Sequence, residues 1–514
     1  MIGSYRNIRR ELKLEIVYYG IAIAVALLLA FIIGKLGKIQ FGGYDGSILI
    51  NHVWEYYLGY KPYVDIVTGW PPIILIGGLI AFQWWGIDWQ SLVNIAGLFS
   101  AITFLWQFVL LKKYGLNALV SIVIASIIQS VTMVVISWWW YNHVTAVTGI
   151  LFLSASLLTY QQPKNRFAQI SFVVLASLLI LSKPNIAFIL FPASIFILML
   201  LDNLRRLTSF LALLSLALSV TILLIFKINP LDMLYSYSHY AGGAFSIDRI
   251  LQFLILNNQD EVVQTTISLI PCILALGIIN YSILKGKSVE KFSLFFGQIG
   301  ILIGVWGMMT NNEFNMTDAA AILFGIIIIA YGFSTSQTSK VSILVATLIA
   351  VSCLLLSAEG LQYATQRLRV KGVGVGAFYQ DAPLTQINNP IFFNGMKVGP
   401  RMVRVLQEMQ STLQDHGYYH QLNAPVFFGP RVDFGYAAYG IAPYPGLPTW
   451  WEFFNKEGTE PTDLMISRFE QANFQMCVFL YRDFTYMPKS LIEYLYQTYN
   501  VTETDELTIF IRKP

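Results

Sequence analysis

The sequence predicts a polytopic α-helical membrane protein that ends in a smaller α/β domain outside the membrane. Three observations predict it. Of the 514 residues, 56% are hydrophobic and only 12% are charged, with a mean hydropathy of +0.59, whereas a soluble chain carries about 25% charged residues. Apolar runs recur through residues 1–357, and basic residues gather at alternate gaps between them, as the positive-inside bias requires. From residue 358 onward charge, proline and glycine return and no further apolar span follows. The same totals exclude other classes. A net charge of +4 is too small to suggest nucleic acid. Cys272, Cys353 and Cys477 lie far apart without Cys/His ligand spacing, so neither a zinc site nor a disulfide framework is expected.

Arg6, Arg9, Arg10 and Lys13 precede the first apolar run, 16–33. Basic residues ahead of a first helix favour a cytoplasmic N-terminus. No small-residue cleavage site follows, so the run reads as an anchored helix that delivers the chain to the outer face. The first outer loop, 34–90, carries Asp45, His52, Glu55, Lys61 and Asp65 in a chain that elsewhere avoids charge. Ile50, Val53, Trp54 and Tyr57 share one helical face, and Asn51, His52 and Glu55 another. Residues 46–59 therefore predict an amphipathic helix lying at the interface, with Gly59 capping its end and Pro62 preventing continuation. Asp45 stands where an N-cap would stand. The apolar run 71–86 is about 15 residues, short of the ~20 needed to span. Laid along the membrane surface, it leaves every later basic cluster on the inside.

The remaining runs then alternate. Residues 91–111 lead inward to Lys112 and Lys113; 116–137 lead outward to the aromatic stretch 138–141 and His143. Residues 144–160 lead inward to Lys164 and Arg166, and 168–181 outward to Lys183. Residues 186–201 lead inward to Arg205 and Arg206; 207–226 lead outward to a large outer loop, 227–264, with His239, Asp248 and Arg249. Residues 265–284 reach Lys285, Lys287 and Lys291 inside, and 292–309 a short outer loop with Glu313 and Asp318. Residues 319–333 and 341–357 complete about eleven spans, with the N-terminus in and the C-terminus out. In 358–514, segments 399–416, 463–473 and 488–499 read as helices, and 424–429, 476–481 and 507–512 as strands, which suggests a small α/β domain.

One stretch carries a family signal. Tyr44-Asp45, a helix, Gly59-x-x-Pro62-Tyr63-x-Asp65, Pro71-Pro72 and a short apolar helix follow one another. This order resembles the first outer loop of GT-C-type glycosyltransferases, membrane enzymes that take a sugar from a polyprenyl-phosphate carrier. The resemblance is to the branch with RgtA-like enzymes, protein O-mannosyltransferases and lipid A aminoarabinose transferases. FFGPRVDFGYAAYG at 427–440, GLPTWW at 446–451 and FLYRD at 479–483 look like the outer domain of RgtA-like members. The resemblance extends to the whole architecture: a GT-C-like catalytic domain over 1–357 and an extracytoplasmic domain over 358–514. Many members carry a second acid directly after the catalytic aspartate, whereas Gly46 follows Asp45. That departure argues against a metal-assisted site, so no cofactor is implied and a divalent metal is not favoured.

The resemblance implies an inverting transfer from a polyprenyl-phosphate-linked sugar donor to an acceptor hydroxyl, in a multi-pass protein of the cell membrane. The acceptor is a glycan, a lipid or a protein; membrane lipids are the other partners. One carboxylate as general base and one or two cations at the departing phosphate suffice. Asp45 fits the base. Lys183, in Lys183-Pro184-Asn185 at an outer helix end, fits the phosphate cation, against the alternative of a lysine that snorkels. Arg249 and His239 are further phosphate candidates, with an ordinary loop ion pair as the alternative. His143, Asp65 and Glu313 are candidate acceptor or substrate contacts; their alternatives are an interfacial aromatic belt, a turn after Pro62 and a solvated loop acid. A polyprenyl-linked sugar transporter or flippase is the competing function. Ion-coupled transporters place acids or bases near the bilayer midplane, and the middles of these runs contain none.

Overall fold

The computed structural model describes residues 2–39, 43–200, 203–240, 260–287, 289–310, 316–336, 340–368, 383–448, 462–484 and 487–514. Among these, seven helices are long and apolar enough to cross a membrane, and five shorter apolar helices accompany them. The chain is a polytopic helical membrane protein with a small C-terminal sheet domain. It forms two compact units that do not follow chain order. One collects Met1–Ile33, Ala96–Thr221 and Gly243–Ala364; the other collects Gly34–Ile95, Ile222–Gly242 and Thr365–Pro514.

The helices in chain order are α1 (Ile2–Leu36), α2 (Gly43–Tyr57), α3 (Pro72–Trp85), α4 (Trp89–Tyr114), α5 (Ala118–Gln129), α6 (Tyr141–Gln161), α7 (Arg166–Ile180), α8 (Pro184–Met199), α9 (Arg205–Ile225) and α10 (Pro230–Tyr240). They continue with α11 (Asp260–Leu284), α12 (Lys291–Thr310), α13 (Met316–Ser336) and α14 (Lys340–Leu368). The apolar helices of the first unit are joined by small residues and buried polar pairs. Such contacts hold helices together where lipid tails are as apolar as leucine and burial drives nothing. Gln129 accepts from Ser100 at 2.8 Å and donates to Thr103 at 3.1 Å, and Gln107 donates to Ser154 at 3.0 Å. Among the described helices, α12 and α13 pack against one another most extensively. A Cβ at Gly300 would stand 3.0 Å from the Gly325 Cα, one at Gly304 would stand 2.6 Å from the Asp318 carbonyl oxygen, and one at Gly325 would stand 2.8 Å from the Ile301 nitrogen. Glycine at these positions is what lets the two backbones meet.

The sequence reads 116–137 as one uninterrupted span. α5 instead passes into a π turn over Ser130–Val134 and the chain turns at Ser137, whose φ is +57°. The aromatic stretch that follows is not an interfacial belt. Trp138, Trp139 and Trp140 are all buried, and Trp138–Trp140 and Trp140–Tyr141 ring centroids lie 4.8 and 4.4 Å apart. Phe99 meets Trp139 edge to face at 5.3 Å, so these indoles pack on protein rather than on lipid head groups. Within the large outer loop the described residues include α10 and the start of α11.

In the second unit, the C-terminal segment adds α15 (Pro400–Asp415), α16 (Gly435–Tyr439), α17 (Thr462–Ala472) and α18 (Lys489–Thr498). Two short strands, β1 (Thr385–Gln386) and β2 (Lys397–Val398), pair antiparallel. The main sheet has β3 (Val426–Phe428), β4 (Met476–Leu480), β5 (Tyr499–Glu503) and β6 (Leu507–Arg512) in the order β3-β4-β6-β5. β3 runs parallel to β4; the other pairings are antiparallel, with Cys477 opposite Phe427 on one side and Phe510 on the other. All five residues of β4 are buried, as a central strand covered on both faces requires. Phe427, Phe469, Phe474, Phe479, Leu491 and Leu495 form the core between this sheet and helices α17 and α18.

Candidate functional site

In the first unit the site is built around the turn between α7 and α8. Pro184 occupies the first position of α8, where its missing N–H costs nothing. The residue before a proline is driven to extended backbone, and Lys183 has φ −58° and ψ 117°. This aims its side chain across the turn instead of along a helix. The Lys183 amide donates to Thr145 Oγ1 at 3.2 Å, and Nζ donates to Asn142 Oδ1 at 3.1 Å. Nζ also lies 5.4 Å from the Tyr141 ring centroid, within cation–π range. Burial lowers the ammonium to about 8, and the negative charge of Asp318 opposes that shift.

Lys183 and Asp318 line one cleft, half open, with about 500 Å³ of empty space when the adjoining solvent is included. Its other walls are largely apolar: Ala146, Ile150 and Leu153 of α6, Leu190 of α8, Ile303 of α12 and Ala321 of α13 among them. Asp318 is buried in the first turn of α13, where an acid is favoured by the helix dipole. A second apolar cleft, of about 340 Å³ on the same measure, is lined by Ser154 and Leu157 of α6 and by Phe324, Ile328 and Tyr331 of α13. On α6 the two linings read 146, 150, 153, 157, and on α13 they read 317, 321, 324, 328, 331. Both are continuous stripes at helical spacing. α6 and α13 thus line both clefts; α8 and α12 complete the first, which holds the lysine, and Leu110, Leu111 and Tyr114 of α4 complete the second.

In the second unit, Asp45 lies in the first turn of α2 and is partly exposed. α2 begins at Gly43, so Asp45 is inside the helix rather than its N-cap. The helix is not an amphipathic element resting at the interface either. Residues 46–56 are all buried, because other parts of the unit cover the polar face. Ser47 donates to the Asp433 carboxylate and accepts from the Phe434 amide at 2.9 Å, and Trp54 Nε1 donates to the Ile441 carbonyl at 2.8 Å. On the apolar side, a Cβ at Gly78 of α3 would overlap Val53. Glu55 and Asp433 are both buried and both pushed up: Asp433 to about 7 by burial, with the Ser47 hydrogen bond opposing, and Glu55 well up by burial and by the Asp433 charge. Burial holds His52 down at about 3, and its ring meets Trp70 edge to face at 5.2 Å. Burial thus disfavours the charged form of all three, and Ser47 and Trp54 fasten α2 to the 433–441 segment. Asp45 thereby stands at the start of a helix that is held by these contacts.

Asp65 does what its turn alternative requires. Its Oδ2 accepts from the Lys61 amide at 2.9 Å, and its own carbonyl accepts from the Gly446 amide at 2.7 Å. α10 docks on the same loop: Ser236 donates to the Thr68 carbonyl at 2.6 Å, and Tyr237 meets Tyr63 edge to face at 5.9 Å. The backbone of His239 lies on α10, near its C-terminal end. His143 is buried in the first turn of α6, beside Asn142. Arg249 and Glu313 lie outside the described residues. Lys183 and His143 belong to the first unit, Asp45, Asp65 and His239 to the second.

Three residues that shape these surroundings stand apart from the sequence-predicted site. Asn142 is hidden in an aromatic run that draws attention to His143. Asp318 reads as a loop acid, although the spacing of Gly297, Gly300, Gly304 and Gly307 signals a close helix neighbour that must be met by the residues after 316. Asp433 sits within the quoted C-terminal motif but carries no local signal for α2 as its partner. Among the described residues, no three His, Cys, Asp or Glu side chains stand together as metal ligands would.

No family model and no curated protein matches the chain. Solved structures do. ArnT from Cupriavidus metallidurans bound to undecaprenyl phosphate superposes with a TM-score of 0.50 at 9% identity, over 97% of this chain and 98% of that one. The same protein in the apo state gives 0.46 at 10% identity, over 98% of each chain. The Archaeoglobus fulgidus oligosaccharyltransferase, in complex with Zn and sulfate, gives 0.40 at 15% identity, over 89% of this chain and 68% of that one. The first of these shows that the chain shares the overall fold of a membrane protein that holds a polyprenyl phosphate.

Proposed function

We propose that the protein is a membrane glycosyltransferase that moves a sugar from a polyprenyl-phosphate carrier to an acceptor hydroxyl on the outer face of the membrane. The observation that carries this reading is a pair of largely apolar clefts that share α6 and α13, one of them with Lys183 in its lining. A long apolar tail with a single anionic head fits that combination; a soluble sugar nucleotide, polar over its whole surface, does not. The likeness of fold to ArnT bound to undecaprenyl phosphate supports the same donor class.

In the proposed reaction, the acceptor oxygen attacks the anomeric carbon from the side opposite the carrier. A C–O bond forms as the bond from the anomeric carbon to the phosphate oxygen breaks, and configuration inverts. The electron pair stays on the departing phosphate oxygen, whose growing negative charge the Lys183 ammonium balances, with Asn142 Oδ1 holding that ammonium in place. Asp45 takes the acceptor proton. A positioned base contributes about 10²–10⁴-fold, and stabilising the departing charge can contribute as much. Arg249 and His239 are retained as additional phosphate contacts, and His143, Asp65 and Glu313 as acceptor or substrate contacts. Of these Asp65 is the weakest, since its carboxylate already closes a turn.

The test is to incubate purified protein with a panel of prenyl-linked monosaccharides and score release of free lipid phosphate. Wild type releases it with at least one sugar. Asp45→Asn binds that donor normally and turns over at least about 10²-fold more slowly. Near-normal turnover in Asp45→Asn removes it from the chemistry, and carrier movement across liposomes without any glycosidic product favours the flippase.

A further inference from the structure

We propose that Asp318 is a specificity-determining residue that sets the charge the lysine cleft accepts, favouring a singly charged phosphodiester over a doubly charged phosphomonoester. The inference rests on the reading of this cleft as the phosphate end of a lipid-carrier site. It goes further in assigning a task to an acid that such a site would not be expected to contain.

Asp318 and Lys183 line the same cleft. Asp318 is buried, in the first turn of α13. Room for its carboxylate is made by a missing side chain on the facing helix: a Cβ at Gly307 would overlap Asp318 Oδ1. The Asp318 charge also acts on Lys183. A lone buried lysine would simply prefer the more negative of two anions. A lysine already balanced by a carboxylate does not, because each added negative charge on the ligand also meets the acid. Even across about 10 Å of cleft, at an effective dielectric of about 20, that repulsion changes affinity by about tenfold or more per charge.

The two lipid species of the proposed reaction differ in this respect. The sugar donor is a phosphodiester with one negative charge. The lipid phosphate it leaves behind is a monoester carrying about −1.5 to −2 near neutral pH. Asp318 therefore opposes the product more than the donor and drives the spent carrier out. As a bland alternative, Asp318 could be a structural partner that only keeps Lys183 buried, or only an acid at a helix start. Either role predicts that donor and product affinities change together when the acid is removed.

The experiment is binding of two probes of equal tail length, a polyprenyl monophosphate and a neutral-alcohol diester of it, to the full-length protein in nanodiscs at pH 7.5. The variants are Lys183→Ala and Asp318→Asn. Wild type is expected to bind the diester at least as well as the monoester. Asp318→Asn is expected to tighten the monoester about tenfold relative to the diester. An unchanged ratio in a folded Asp318→Asn protein overturns the inference while leaving the cleft reading intact. Should Asp318→Asn not fold, wild type decides alone: a monoester preference of tenfold or more overturns the inference. Binding of both probes that Lys183→Ala leaves untouched overturns the cleft reading, and the inference with it.

Discussion

Asp433 is a buried acid whose cost can be read from solution conditions. The folded protein holds its proton up to about 7, against an ordinary value of 3.8. Between those values the folded state binds more protons than the unfolded one, so stability falls as pH rises through the window. The full stability is present below the unfolded value, and the loss is complete above the folded one. A displacement of this size corresponds to a few kcal/mol, about 4 at most. Glu55 is displaced in the same direction and shares the effect. Asp433→Asn keeps an acceptor for Ser47 and removes the titration. The expected outcome is a wild-type protein that melts clearly lower at pH 7.5 than at pH 5, and an Asp433→Asn protein with a shallower pH dependence. Thermal melts in detergent at the two pH values measure it; equal slopes would place the titration elsewhere. Trp54 makes a simpler case. Trp54→Phe leaves the ring contact with Tyr57 in place, deletes the donor to the buried Ile441 carbonyl, and should cost about 1–3 kcal/mol by the same melts.

At the scale of elements, the α12–α13 pair depends on absent side chains. Gly297, Gly300 and Gly304 let α12 approach Gly325 and Asp318 of α13 within backbone contact. Gly304→Leu has to separate the helices or distort them, with overpacking costs of about 1–3 kcal/mol or more. The expected result is a lower melting temperature together with loss of donor binding, because Asp318 and Thr317 line the lysine cleft. Gly20→Leu, with open space around it, is the control and should melt as wild type does. Much of this level was legible beforehand. The amphipathic period of 399–416 and the apolar strands near 476 and 507 match α15, β4 and β6, since each buries one recognisable pattern. α2 was misjudged for a physical reason. Helical spacing reveals that Ser47, Asn51 and Glu55 are polar, but not that a segment almost four hundred residues later covers this face and supplies the partners of Ser47. β5 was missed because its residues after Tyr499 are exposed at a sheet edge, where no apolar alternation is needed. Lys183 was legible because a lysine beside Pro184 between two apolar runs is rare; Asn142 and Asp318 were not, because only the fold brings them to it.

At the scale of the whole molecule, the question is which part of a lipid carrier supplies affinity and which supplies choice. Bilayer tails are as apolar as the side chains of a helix bundle, so moving a prenyl tail from the membrane onto α6 and α13 gains packing but little hydrophobic transfer energy. The phosphate end of the proposed site is different, since the buried ammonium of Lys183 has no counterpart among the lipid tails. Affinity should therefore reside at Lys183 and tail selection along the track. From Asn142 in the lining of the first cleft to Leu157 in that of the second, α6 rises about 22 Å, the path a prenyl tail along it would follow. A tail shorter than this never reaches Leu157, and a longer one must pass it. Leu157→Trp, which fills the far cleft, is expected to weaken long-tailed carriers several-fold in nanodiscs and to leave short-tailed ones unchanged. The unchanged short carrier also reports that the variant is folded. Lys183→Ala should weaken both alike. Competition binding with a short and a long polyprenyl phosphate separates the two variants. If Leu157→Trp affects both tails equally, or neither, the tail follows another path and the track along α6 and α13 is only a packing defect between helices.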